Sequence, residues 1–216
     1  MAQEALLQKS LGRGEFDHVL LSSVLRQMGY AAPTKKIHEL MKAGVLRGIK
    51  KGLYIFSPEH AEGPVSKEVL ANLIYGPSYI SLEYALAYYG LIPERVETVT
   101  SVTPKRNKAF KTPLGVFTYR KLATAKYREG VELVSIKPSR TVFMASPEKA
   151  LLDYIVLNKV RGIKSVGDAR TFMQEDLRID SGSWMKLDAL KLHRLNRYYK
   201  SKAADFVVQV LEEVKR

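Results

Sequence analysis

The spacing of apolar positions between residues 22 and 57 changes twice, and the changes outline four elements. Val24, Leu25 and Met28 repeat at helical spacing behind Ser22 and Ser23, either of which can cap a helix, and Gly29 ends the run. After Ala32-Pro33-Thr34, a helix entry with proline in the first turn, Ile37, Leu40 and Met41 form a second apolar face that stops at Gly44. Val45 and Leu46 start a strand, Arg47-Gly48-Ile49-Lys50-Lys51-Gly52 turns it, and Leu53-Tyr54-Ile55-Phe56 returns to a stop at Pro58. Helix, turn, helix and a hairpin with a basic tip make the outline of a winged helix-turn-helix, whose second helix lies in a DNA major groove. An amphipathic helix by itself says little; the ordered combination, with cations on both outward elements, points to DNA.

On a helical wheel the apolar side of the second helix leaves Lys35, His38, Glu39 and Lys42 facing outward, with Thr34 and Lys36 on the flanks. Glu39 is out of place against phosphate. It either accepts from a cytosine amino group or pairs with Lys35 or Lys42, and the pairing is preferred.

Beyond the hairpin, the polar, Pro- and Gly-bearing stretch 57–65 reads as a linker between a domain at 1–60 and a domain at 61–216. Ser66 caps a helix reaching about Tyr75 with Val69, Leu70, Leu73 and Ile74 inward, and Ser81 starts another that ends at Gly90. The β-branched run Val96–Thr103 predicts a strand. Phe110 and Val116–Tyr119 predict a hairpin around Thr112-Pro113-Leu114-Gly115, and further strands are expected at 132–136 and 141–144. Ser146-Pro147-Glu148 then opens a helix to about Lys159, with Leu151, Leu152, Ile155 and Val156 inward. The remainder is helical and ends with Phe206, Val207, Val210, Leu211 and Val214 on one side. The expected class is α+β: an N-terminal winged helix-turn-helix followed by a mixed α/β domain with a small, largely antiparallel sheet.

Composition narrows the chemistry. With 216 residues, 46% of them hydrophobic, the chain can bury a substantial core, and with no cysteine it has neither disulfides nor thiolate metal sites. No apolar run approaches the ~20 residues of a membrane span, and no signal-peptide core follows the start, so a cytoplasmic protein with no membrane partner is expected. The formal charge of +13 favours a polyanionic partner. Only +4 of it lies in residues 1–60. Lys105, Arg106, Lys108, Lys111, Arg120, Lys121, Lys126 and Arg128 face Glu129 alone between 101 and 130, and near the C-terminus Lys186, Lys191, Arg194, Arg197, Lys200 and Lys202 face only Asp188. Singly these are ordinary surface lysines and arginines; as groups, Lys105, Arg106, Lys108, Lys111, Arg194 and Arg197 are candidate secondary phosphate contacts.

An enzyme is the alternative, a nuclease or nucleotidyltransferase using Glu148 and Asp153. Five residues turn those acids about 140° apart on a helix, and Glu148 sits where a helix start favours an acid, so the structural reading is preferred. The chain has no phosphate-binding loop, dinucleotide fingerprint or His-x-x-x-His spacing, so no cofactor and no metal are expected, and His38 is read as an exposed hydrogen-bonding residue. Tyr79, Tyr84, Tyr88 and Tyr89 with Leu82, Leu86 and Leu91 suggest either a partner surface or, preferably, core.

Pro77-Ser78-Tyr79-Ile80-Ser81-Leu82-Glu83-Tyr84-Ala85-Leu86, followed by Tyr89-Gly90-Leu91-Ile92-Pro93-Glu94, resembles the AbiEi family of antitoxins. Thr100–Arg106, Pro113–Tyr119 and Ala145–Asp153 recur in that family's order, and the resemblance covers most of the chain from Leu21 onward. It implies a repressor that binds inverted repeats in its own promoter through a winged helix-turn-helix and opposes a co-expressed nucleotidyltransferase-like toxin, with or without a stable complex. It also implies that Thr34, Lys35, Lys36 and His38 read the groove while Arg47, Lys50 and Lys51 contact phosphate; Lys42, on the same outward face, is counted with the DNA-binding residues.

Overall fold

A computed structural model describes residues 2–11, 14–61, 63–136 and 140–214. The chain divides into two compact units, one running to Ile74 and including Thr112–Leu114, the other comprising Tyr75–Lys111 and Gly115 onward. The boundary expected at residue 60 therefore falls inside the first unit. The polar stretch there is a packed connector: Pro58–His60 form a 3-10 turn, the Ser57 amide donates to Val45 O at 2.9 Å, Ala61 packs on the core, and the Ser66 amide donates to Glu15 at 2.8 Å.

In the first unit the elements are α1 (Ala2–Leu11), β1 (Glu15–Asp17), α2 (His18–Gln27), α3 (Pro33–Lys42), β2 (Leu46–Lys50), β3 (Leu53–Phe56) and α4 (Lys67–Ile74). Helix α2 starts before the expected serine caps because Asp17 accepts the Leu20 amide at 2.8 Å. Ser22 is then an interior, buried residue, and Leu21 joins Val24 and Leu25 on the inward stripe. These residues, with Leu7, Leu11, Phe16, Ile37, Leu40, Val45, Leu46 and Phe56, form one core, in which the Phe16 and Phe56 rings meet edge to face at 5.0 Å.

Strands β1, β3 and β2 lie in that order, all antiparallel. The hairpin is tighter than the glycine pattern suggested. Strand β2 continues through Lys50, with a bulge between Gly48 and Lys50 and Ile49 buried, so the turn itself is Lys51-Gly52. Gly52 has φ +80°, which a β-carbon would strain, and its carbonyl accepts the His18 amide at 2.9 Å.

The second unit holds β4 (Tyr79–Ile80), α5 (Leu82–Tyr88), β5 (Val99–Thr103), β6 (Lys108–Thr112), β7 (Gly115–Lys121), α6 (Thr124–Tyr127), β8 (Val131–Ile136), β9 (Arg140–Ala145) and α7 (Pro147–Leu157). There follow α8 (Val166–Thr171), a π-helical turn at Phe172–Asp176, α9 (Ser181–Trp184), α10 (Ala189–Tyr199) and α11 (Lys202–Val214). Its six strands run in the order β6-β7-β5-β4-β9-β8. The sheet, expected to be small and largely antiparallel, has six strands and is mixed: β5 pairs with β7 and β4 with β9 in parallel, while β4–β5 and β8–β9 are antiparallel. Two facts explain this. The β6–β7 hairpin places its second strand inside, against β5, and the two-residue β4, too short to show a period, sits at the sheet centre.

Helix α7 begins as predicted, with Ser146 Oγ accepting the Lys149 amide at 3.3 Å and Pro147 in the first turn. The leucines of the tyrosine cluster and Tyr79 are core, whereas Tyr84 and Tyr89 are half-buried. Tyr79, Leu82, Leu86 and Leu91 are buried and Tyr89 donates to Ala145 O at 3.0 Å, while Tyr88 is exposed. Among the described residues, no helix is long and apolar enough to cross a membrane.

Candidate nucleic-acid interface

Helix α3 forms because Pro33 presets its first turn and Pro33, Ile37 and Leu40 supply the inward face. Thr34, Lys35, His38, Glu39 and Lys42 are exposed on its remainder. Two details differ from the wheel. Met41, expected inward, is 40% exposed, because the inner face is narrow and residue 41 lies at its margin. Its methyl instead sits beside Gly48, where an added β-carbon would meet it at 3.4 Å, so the last turn of α3 adjoins β2 next to Arg47.

Lys36 is half-buried, with its ammonium 5.0 Å from the Tyr30 ring centroid and 3.7 Å from Glu39. The partner of Glu39 is thus Lys36, three residues before it, rather than Lys35 or Lys42. The Tyr30 ring holds Lys36 on that side of the helix. Lys35 and Lys42 have no carboxylate within ion-pairing distance among the described residues, and the acid between them is already neutralised.

On the hairpin, Arg47 and Lys51 are exposed. Lys50 is half-buried and donates to the backbone carbonyl of Ile74, so its ammonium is engaged within the first unit. Of the eight N-terminal residues singled out from the sequence, Thr34, Lys35, His38, Lys42, Arg47 and Lys51 present exposed side chains, while Lys36 and Lys50 are held by neighbours.

The cations of the second unit are sorted in the same way. Lys105, Arg106, Lys108 and Lys111 are exposed along β6 and the loop before it, and Arg194 and Arg197 are exposed on α10. Lys191 instead pairs with Glu132 at 2.7 Å and Glu148 at 3.2 Å, and Arg120 donates to Asn158 Oδ1 at 3.0 Å. Charge counts alone do not separate these groups.

A different set of charges lies wholly inside the second unit. Asp153, fully buried, accepts from Tyr79 at 2.9 Å, from Ser81 at 2.7 Å and from Tyr199. Lys149, also fully buried, lies 3.8 Å from Asp153, donates to the Tyr199 hydroxyl at 2.7 Å and to Lys126 O at 2.8 Å, and stands over both tyrosine rings. Burial pushes the Asp153 carboxyl up and the Lys149 ammonium down from their ordinary values, opposed in each by the partner's charge and, for Asp153, by the three hydroxyls. Burial and the neighbouring carboxylate push the hydroxyls of Tyr79 and Tyr199 well up. Glu148 faces elsewhere, taking the Ser146 hydroxyl at 2.9 Å and the Asp188 amide at 3.1 Å. The two acids therefore belong to separate networks, and among the described residues no group of three or more His, Asp or Glu is placed to hold a metal. Sequence reading missed this cluster. The only signal was the i, i+4 spacing of Lys149 and Asp153 on a helix otherwise apolar.

No protein-family model matches the chain, and no curated protein does so. Among solved structures, the chain is similar to the RV2827C protein from Mycobacterium tuberculosis, with a TM-score of 0.60 and 13% sequence identity. The likeness covers 97% of this chain and 76% of that one, and it concerns the fold alone.

Proposed function

We propose that this chain is a DNA-binding transcriptional repressor, the antitoxin of an AbiE-like type IV operon, which binds inverted repeats in its own promoter. The observation that carries the DNA half is the outward face of α3, where Thr34, Lys35, His38 and Lys42 are exposed and Glu39 is neutralised by Lys36. Helix, turn, helix and hairpin over a single core support the winged helix-turn-helix reading. In it α3 enters the major groove, and Arg47 and Lys51 contact phosphate beside it. The exposed cations of β6 and α10 extend the footprint. The antitoxin half rests on the ordered resemblance to AbiEi proteins, and its functional partner is a nucleotidyltransferase-like toxin; opposition to it requires no stable complex.

The enzyme alternative needs Glu148 and Asp153 at one reaction centre, and their separate hydrogen-bond networks give it no support.

The test is fluorescence anisotropy against the duplex immediately upstream of the gene, with a shuffled duplex of equal length as control, at physiological salt. A preference of about 1000-fold for the native duplex is expected of a specific regulator. Lys35→Ala with Lys42→Ala should remove most of that affinity without changing the melting temperature. Equal binding to both duplexes would defeat the repressor reading.

A further inference from the structure

We propose that the second unit carries its own binding site for unpaired nucleotides of a single-stranded nucleic acid, built on Tyr75 and Phe110 and rimmed by Lys105, Arg106 and Lys108. Three aromatic rings meet here. Tyr75 lies 5.3 Å from Tyr119 and 5.9 Å from Phe110, and Phe110 lies 5.8 Å from Tyr119, centroid to centroid. Tyr119 is the floor, buried to 1% exposure, whereas Tyr75 and Phe110 are only half-buried. They sit at the margin of the molecule's larger sheet, because β6 is its edge strand.

Lysine ammoniums lie over both rings. The Lys108 ammonium is 5.5 Å from the Tyr75 centroid and 5.1 Å from that of Phe110, two residues along the same face of β6. Lys105 is 5.4 Å from Tyr75 and is steadied by donating to Gly76 O at 2.6 Å. Arg106 is exposed in the loop just before β6. Among the described residues, none of these three cations has a carboxylate within ion-pairing distance, so their charge is available to a ligand.

The pairing of rings with cations decides the ligand class. A duplex keeps its bases stacked within itself and offers this surface phosphates only, for which aromatic side chains have no use. A single strand offers both partners at once: base faces for the rings and phosphates for the lysines and arginine. An acidic peptide would satisfy the cations and leave the rings unused.

The experiment uses the full chain and a fluorescein-labelled oligothymidylate of about 12 nucleotides, a length within the span of single-strand sites, read by anisotropy at physiological salt. Phe110→Leu and Tyr75→Leu keep an apolar side chain but remove the flat ring, and each should weaken oligothymidylate binding about tenfold. Phe110→Trp should hold or strengthen it. All three variants should bind the upstream duplex as the parent does and melt at the same temperature. Leucine variants that bind the oligonucleotide like the parent would overturn the proposal. So would displacement of the oligonucleotide by polyglutamate as readily as by unlabelled oligothymidylate, which would mark the surface as one for acidic protein. Loss of binding by the parent chain to oligothymidylate, with the duplex still bound, would sink this site and leave the repressor reading standing; the reverse result would do the opposite.

Discussion

Helices α3 and α7 open alike, with proline in the first turn, and then part company. In α3 the charged residues Lys35, Glu39 and Lys42 stand in solvent, while in α7 Lys149 and Asp153 have no exposure at all. A charge kept in water is available to a partner and costs the fold little. A charge removed from water has to be met inside, which α7 achieves with two tyrosines, a serine and a backbone carbonyl. Two helices that share a proline start thus dispose of their charges in opposite ways, α3 leaving them in solvent and α7 spending them on internal cohesion.

The contrast is broken most severely by removing one member of the buried pair. Asp153→Ala leaves Lys149 charged and unmatched, and the expected loss is about 3–5 kcal/mol in unfolding free energy by denaturant titration. Lys149→Met combined with Asp153→Leu should cost less than either single change to alanine, since no lone charge is left behind. A double variant less stable than both would mean that the cluster contributes more than the matching of charges.

A smaller effect is expected from alkali. The hydroxyls of Tyr79 and Tyr199 keep their protons in the folded chain well beyond the ordinary 10.0, because burial and Asp153 disfavour a second anion. The unfolded chain ionises them near 10, so their contribution is complete below that pH and is lost as pH rises through the folded values. Lys149 has the opposite sign: its depressed folded value makes its contribution grow with pH toward the unfolded 10.5. Tyr199→Phe isolates the tyrosine share. The melting temperature of the parent should drop more steeply between about pH 10 and 11 than that of the variant, and parallel curves would remove Tyr199 from the account.

The smallest effect tests the outward side. Lys51→Ala should reduce the slope of log affinity against log salt by about one unit, with no change in melting temperature. Lys50→Ala, whose ammonium serves the Ile74 carbonyl, should shift the melting temperature and leave the slope nearly unchanged. An interchange of the two results would reverse the roles drawn from the hairpin.

The local parts of this architecture were legible in the chain. Proline at helix starts, glycine after Met28 and at 44, and the apolar spacing of Ile37 and Leu40 placed α3, β3 and α7 nearly to the residue, because caps and periods are encoded within a few positions. What was missed depends on distant residues. The burial of Asp153 is made by Tyr79 and Tyr199, 74 and 46 positions away, and no spacing within α7 announces them. Strand β4 is two residues long and has no period, yet it decides that the sheet is mixed. Glu39 had partners at several permitted helical offsets, and the Tyr30 ring beside Lys36 selects among them. The candidate interface was visible as a face of α3, whereas the diversion of Lys50 to Ile74 needed a helix that begins 17 residues later.

Asp17 ends β1 and caps α2, and the very next amide, that of His18, is fastened to the carbonyl of Gly52 at the hairpin turn. Strand, helix and turn therefore share one fixed point made of main chain and a single carboxylate. The height of the hairpin turn above the helix pair is gauged from that point, with no long side chain in between to bend or change rotamer. Residues on either side of the turn can vary in charge and size while the gauge keeps its length, so a lineage can retune what Lys51 touches without re-aiming the structure that carries it.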